Sequence, residues 1–390
     1  MYSVSLLYWS GKRWGAVTTG AALIGAALVT LYWPLFVALL LTVGVLALAS
    51  RYHSDLIKGE MRANILRERI QHLLALSMLL VGLQYGANAI MLKLGITPYL
   101  MRPDVGDAFL PIAGAIELKA ILTLGIWDQN HPAAAVMLTV VILTGLLCKR
   151  AFCGWACPLG LAGEYLYKLR KRFIKPELLP PAWLDWPLRM LKYLLLEGLL
   201  YIVLGMPSAS IPHYLEGNYH KIADHKMALF ITPGLITLAC FAVILLLAAW
   251  RRQGFCRYIC PYGALLGLTS FLSPFKIRRS TQHCLIEAKG MNCDKCTRAC
   301  PANIKVHVQG TVRSDECQAC MRCISACPKP KALHLSTRNG IKLSARGLTI
   351  MLLLLLFIIP LIAYVGGFWV SQTPTEIRMY LIQHLGSIGH

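Results

Sequence analysis

The run ECQACMRCISACPKP places Cys317, Cys320, Cys323 and Cys327 at the spacing C-x2-C-x2-C-x3-C-P. Three thiolates so close together can grip one face of a 4Fe–4S cubane. The fourth, followed by proline, leaves on another trajectory and serves a second cluster. A structural zinc site is the plainer alternative for clustered cysteines, but this spacing fits it poorly. A partner run, HCLIEAKGMNCDKCTRACPANI, supplies Cys293, Cys296 and Cys300-Pro301 as the last three positions of the same pattern. Its first position is Gly290, so Cys284 is the nearest candidate, across an enlarged loop. By the exchange rule, cluster one takes Cys284, Cys293, Cys296 and Cys327, and cluster two takes Cys317, Cys320, Cys323 and Cys300. A three-cysteine, 3Fe–4S-type first cluster is the alternative. Lys295, Arg298, Arg322, Lys329 and Lys331 surround these runs. They raise the potential of an anionic cluster or face a membrane surface.

Two further motifs repeat. FCGWACPLG (152–160) and FCRYICPYG (255–263) both read aromatic–Cys–x3–Cys–Pro–x–Gly, with Cys256 lying 103 residues after Cys153. If each run is helical, the i, i+4 spacing puts both cysteines on one face, and proline then starts a new segment. Pseudo-symmetry would gather Cys153, Cys157, Cys256 and Cys260 at a membrane edge as a metal or additional cluster site. Small buried packing residues and a redox-active dithiol are the competing readings. Cys148 and Cys240 lie within apolar spans and read as packing thiols.

Elements that position such thiols follow from composition. Of 390 residues, 56% are hydrophobic and 15% charged, with mean hydropathy +0.56. That balance, in long apolar blocks, predicts a polytopic membrane protein. The net charge of +21 lies beside apolar spans and reports orientation, so no nucleic-acid role is expected. The start, MYSVSLLYWSGKRWG, lacks a basic leader and cleavage site, so no cleavable signal is expected. Eight of the 14 cysteines fall between 284 and 327, which needs a reducing compartment.

About seven spans are expected: 14–31, 33–50, 73–94, 132–148, 189–207, 228–250 and 347–367. The uncharged stretch Trp14–Ser50 divides at LYWP; read as one tilted span, it would flip the N-terminus. Basic loops at 51–71, 149–175 and 251–346 then share one side, the cytoplasm, leaving the C-terminal tail periplasmic. Residues 95–131 read as an interfacial or re-entrant segment, with Glu117 and Lys119 interrupting its apolar residues. The fold class is therefore an all-α polytopic membrane protein with a small α+β two-cluster cytoplasmic domain. The expected division is a membrane hairpin and linker (1–72), a membrane core (73–279), a dicluster domain (280–335), and a final span with its tail (336–390).

FCGWACPLG, FCRYICPYGALLGLTSFLSPFKIRR and the double-cluster segment resemble the NapH/NosR-type membrane polyferredoxins, closest to their YccM-like group. The resemblance covers about residues 75–390 and includes LPIAG (110–114). It departs in the long loop after Cys284, and the chain has no room for the flavin domain of NosR-type members. It also lacks the large C-terminal domain of the copper-reducing CcoG-type relatives. The resemblance implies an inner-membrane protein passing electrons between the quinol pool and a redox partner, a periplasmic or membrane reductase or cytochrome. Two alternatives stand: a copper-reducing maturation factor that holds metal on the C-x3-C-P cysteines, and a redox sensor without turnover.

Quinol oxidation needs a proton acceptor at an apolar pocket. Glu197 in KYLLLEGLLYIVL is the intramembrane acid, with Lys192 near enough in sequence to form an ion pair instead. His213, His220 and His225 read as solvated loop residues, with proton release or partner docking as the other reading. No C-x-x-C-H is present, so haem is not expected.

Overall fold

The computed structural model describes residues 61–99, 101–174, 180–223, 234–329 and 331–384. The expected spans at 14–31 and 33–50, and His225, lie outside them. The described chain is mostly helical. Helix α1 (Met61–Lys93) is followed by α2 (Pro111–Leu124) and α3 (Pro132–Cys148). A short helix α4 (Ala151–Trp155) leads into α5 (Pro158–Phe173), α6 (Ala182–Gly205) and the small helices α7 (Ile211–Glu216) and α8 (Asn218–Lys221). Then come α9 (Leu235–Trp250), α10 (Gly254–Tyr258) and α11 (Pro261–Thr269). Strand β1 (Lys276–Arg279) opens a compact unit containing α12 (Leu285–Lys289), α13 (Lys295–Arg298) and α14 (Arg322–Ser325), closed by β2 (Leu333–Ser336). Helices α15 (Ala345–Val365) and α16 (Thr375–Gln383) follow.

Among the described residues, α1 and α15 are long and apolar enough to cross a membrane. A third candidate is α6 with the segment Ser208–Glu216, bent by 81°. Helices α3 and α9 are apolar but shorter, with 17 and 16 residues. The expected segment at 95–131 contains α2, which packs on α3 with Glu117 buried rather than at a polar face.

The internal repeat is a structural one: α3–α4–α5 and α9–α10–α11 have the same order, and α4/α10 and α5/α11 start 103 residues apart. Each short helix ends before the second cysteine. Cys157 and Cys260 then cap the next helix with extended backbone, and proline occupies its first position. The cysteine pair therefore spans a break between two helices instead of one continuous helical face.

The strands β1 and β2 pair antiparallel, Ile277 opposite Leu335 and Arg279 opposite Leu333, so the unit closes where it began. It is packed against α1, α4 and α15 through a shared core. Ile70 and Leu74 of α1, Trp155 of α4 and Leu348 and Leu352 of α15 share that core with Ile277, Val306, Val312, Ala319 and Leu335.

Candidate functional site

Within the β1–β2 unit the eight cysteines sort into two cavities, four to each. Cys284, Cys293, Cys296 and Cys327 line the first, with Arg279, His307 and Lys329. Cys300, Cys317, Cys320 and Cys323 line the second, among Ile277, Val306, Val312 and Met321. The first cavity is the more solvated, since all four of its cysteines are half-buried; Cys317 and Cys323 of the second are buried. Arg279 donates to the Cys284 sulfur at 3.5 Å, which fixes that distant cysteine beside the others. Ala319 and Met321, on either side of Cys320, adopt left-handed backbone with φ of 47° and 57°. That uncommon geometry turns successive residues of the loop so that its thiols face one cavity.

The second cavity abuts α4. Trp155 of α4 is fully buried, and its Nε1 donates to the Ala319 carbonyl at 3.1 Å. A Cβ on Gly154 would lie 3.3 Å from the Gln318 carbonyl and 3.4 Å from the Cys320 Cβ. The first C-x3-C-P motif therefore packs directly on the loop that carries Cys317 and Cys320. Arg67 of α1 bonds the Gly154 carbonyl at 3.1 Å, and Arg322 pairs with Glu164 of α5. Both guanidiniums are within electrostatic reach of Cys320.

Glycine in the repeat has a steric cause. A Cβ at Gly160 would fall 2.5 Å from the Cys153 carbonyl oxygen, and one at Gly263 would fall 2.7 Å from that of Cys256. The helix after each proline runs back against the first cysteine too closely for any side chain. This brings Cys153, Cys157, Cys256 and Cys260 into mutual electrostatic contact. Burial and the neighbouring sulfurs push the Cys157 thiol up to about 12, and burial raises Cys260 to about 11, despite backbone N–H groups that favour the thiolate. Burial likewise pushes Cys300 up to about 12. Among the described residues no three thiols lie within single-ion reach, since only Glu117, Asp128 and His220 place three ligand atoms within 4.8 Å of one another.

A buried charge network joins these sites. Arg150, wholly buried just before α4, donates to the carbonyl of Cys256 at 3.2 Å, to that of Asp315 at 3.2 Å and to the Glu316 carboxylate at 3.4 Å. Lys192 of α6 pairs with Glu316 and, at 3.3 Å, with Asp315. Burial opposes ionisation of Asp315, but Tyr193, Lys192, Arg189 and Arg150 hold its carboxyl down at about 2. Lys192 is therefore bound to the cysteine unit rather than to Glu197, which lies exposed on α6. His213 is exposed, whereas His220 is wholly buried, contrary to its reading as a solvated loop residue. Cys148 packs in the shared core; Cys240 is exposed on α9 and does not.

These features define a ferredoxin-type 4Fe–4S membrane protein. A family described as a 4Fe-4S binding domain matches residues 130–176 and again 231–280, the two halves of the repeat. One described as a 4Fe-4S dicluster domain matches residues 276–328. The chain is 37% identical over 301 residues to the "Putative electron transport protein YccM" of Escherichia coli, covering 75% of this chain and 83% of that one. It is 27% identical over 222 residues to the Ferredoxin-type protein NapH of Escherichia coli, covering 53% of this chain and 70% of NapH. With the Regulatory protein NosR of Pseudomonas aeruginosa it shares 28% identity over 199 residues, 50% of this chain but 26% of NosR. The chain belongs to the NapH/NosR-type ferredoxin family, close to YccM. No solved structure matches it.

Proposed function

We propose that this protein carries electrons between the membrane quinone pool and a redox partner protein through two 4Fe–4S clusters and a third cofactor at the membrane edge. The supporting observation is the unbroken series of thiol sites. It starts at the solvated cavity, continues through the buried one, and reaches the C-x3-C-P quartet through Trp155 and Gly154. Cluster one is assigned to Cys284, Cys293, Cys296 and Cys327, cluster two to Cys317, Cys320, Cys323 and Cys300, and the third cofactor to Cys153, Cys157, Cys256 and Cys260. Bound clusters supply one-electron chemistry. The chain itself holds the sulfurs, excludes water around cluster two, and places the Arg67 and Arg322 charges beside Cys320, which favours its reduced state.

The basic loops favour a multi-pass topology in a bacterial inner membrane with the β1–β2 unit in the cytoplasm. The partner on this reading is a periplasmic or membrane reductase or cytochrome. Glu197, exposed on α6 about 8 Å along the helix from Lys192, is the assigned proton acceptor for quinol.

Anaerobically purified Cys296→Ser and Cys320→Ser variants test the assignment. Each is expected to lose a different cluster signal in the EPR spectrum of the dithionite-reduced protein. Unchanged spectra in both would sink it. Copper that co-purifies and is lost in Cys153→Ser and Cys256→Ser would favour the metal-reducing maturation role over a third cluster.

A further inference from the structure

The other end of α3 holds a second constellation that the electron path does not use. Glu117 of α2, Asp128 of the α2–α3 loop and His220 of α8 come from three separate segments, and their ligand atoms lie within 4.8 Å of one another. Their residues are 1%, 3% and 0% exposed. Asp128 is held by the backbone N–H groups of Asn130 at 3.1 Å and His131 at 2.8 Å, and by His220 Nε2 at 2.8 Å. Glu117 Oε2 accepts from the Ala135 N–H at 3.0 Å, at the start of α3. His131 Nε2 donates to the His220 carbonyl at 2.7 Å and so fixes the backbone that carries the imidazole.

Glu117 Oε1 and His220 Nδ1 are buried without a conventional hydrogen-bond partner, and the Glu117 and Asp128 carboxyl groups stand within hydrogen-bond reach of each other. Two carboxyl groups side by side away from water need a proton or a cation between them. Ile116, Ile211 and Leu215 form an apolar wall nearby. A buried set of two carboxyl groups and one imidazole, brought together from three segments, has the donor set of a divalent transition-metal site.

We propose that Glu117, Asp128 and His220 bind one divalent transition-metal ion that ties α2, the α2–α3 loop and α8 together. The 17 residues of α3 separate this site from the thiol quartet by about 25 Å, so the ion's task is structural and independent of the electron-transfer reading.

The probe is Mn2+, which suits carboxylate and imidazole donors and competes poorly for thiolates. Full-length protein, briefly dialysed against chelator, is titrated with Mn2+, and the signal of free Mn2+ is followed by EPR. One equivalent should bind, Zn2+ should displace it, and Cys320→Ser should leave it unchanged. Glu117→Gln and Asp128→Asn should each weaken binding about 10-fold or more while the visible iron–sulfur spectrum persists. Should the variants fail to fold, electron spin echo modulation on the wild-type Mn2+ form decides instead. Imidazole nitrogen coupled to the ion is expected from His220. Absence of one-equivalent binding, binding unaffected in Glu117→Gln, or an ion without nitrogen coupling would each overturn the site.

Discussion

At Gly160 and Gly263 a missing side chain decides whether the cysteine pairs can form. Alanine ordinarily stabilises a helix over glycine by about 1 kcal/mol. Here the added methyl would meet a carbonyl oxygen at 2.5 or 2.7 Å, so overpacking wins. Gly160→Ala should destabilise the protein by about 1–3 kcal/mol and lower its iron content. Thermal unfolding in detergent checks this, and a raised Tm with full iron would contradict the steric account. The cysteines and their trailing glycines were legible in the sequence because ligand spacing is local. The sequence offered few candidates for a fourth cysteine, and Cys284 does line one cavity with Cys293, Cys296 and Cys327. His220 was not, since its partner Asp128 lies 92 residues away and the polar loop around it gave no sign of burial. Lys192 illustrates the same limit: its neighbour in sequence, Glu197, is not its neighbour in space.

Short elements, α4 and α10, do the positioning. Each ends after one turn, so that the next helix can start on a cysteine and a proline. Proline marks the break in the sequence, but the early stop of the preceding helix depends on the packing of Trp155 and Tyr258, both fully buried. The charged network on α6 anchors the cysteine unit to these elements. Lys192 is wholly buried and faces two carboxylates, so its removal leaves them under-compensated in a dry interface. Lys192→Met should cost about 3–5 kcal/mol of docking stability. Limited proteolysis of the folded protein would show faster cleavage within residues 276–343. Protection equal to that of the wild type would mean the apolar core alone holds the unit.

At the scale of the molecule, among the described residues, α1, α4 and α15 share one hydrophobic core with the cysteine unit. Apolar blocks in the sequence located α1, α3, α6, α9 and α15, because burial in lipid or core demands them. Composition did not reveal the shared core, because residues of both halves contribute to it only after folding. This coupling places the buried thiol cavity against α4 and the first C-x3-C-P motif. The central claim is tested most directly by adding a reduced menaquinone analogue to the anaerobic, cluster-loaded protein and following its visible iron–sulfur absorbance. Bleaching on a catalytic timescale, lost in Cys153→Ser, is the predicted result. Clusters that dithionite reduces but the quinol analogue leaves oxidised would contradict entry of electrons from the quinol pool.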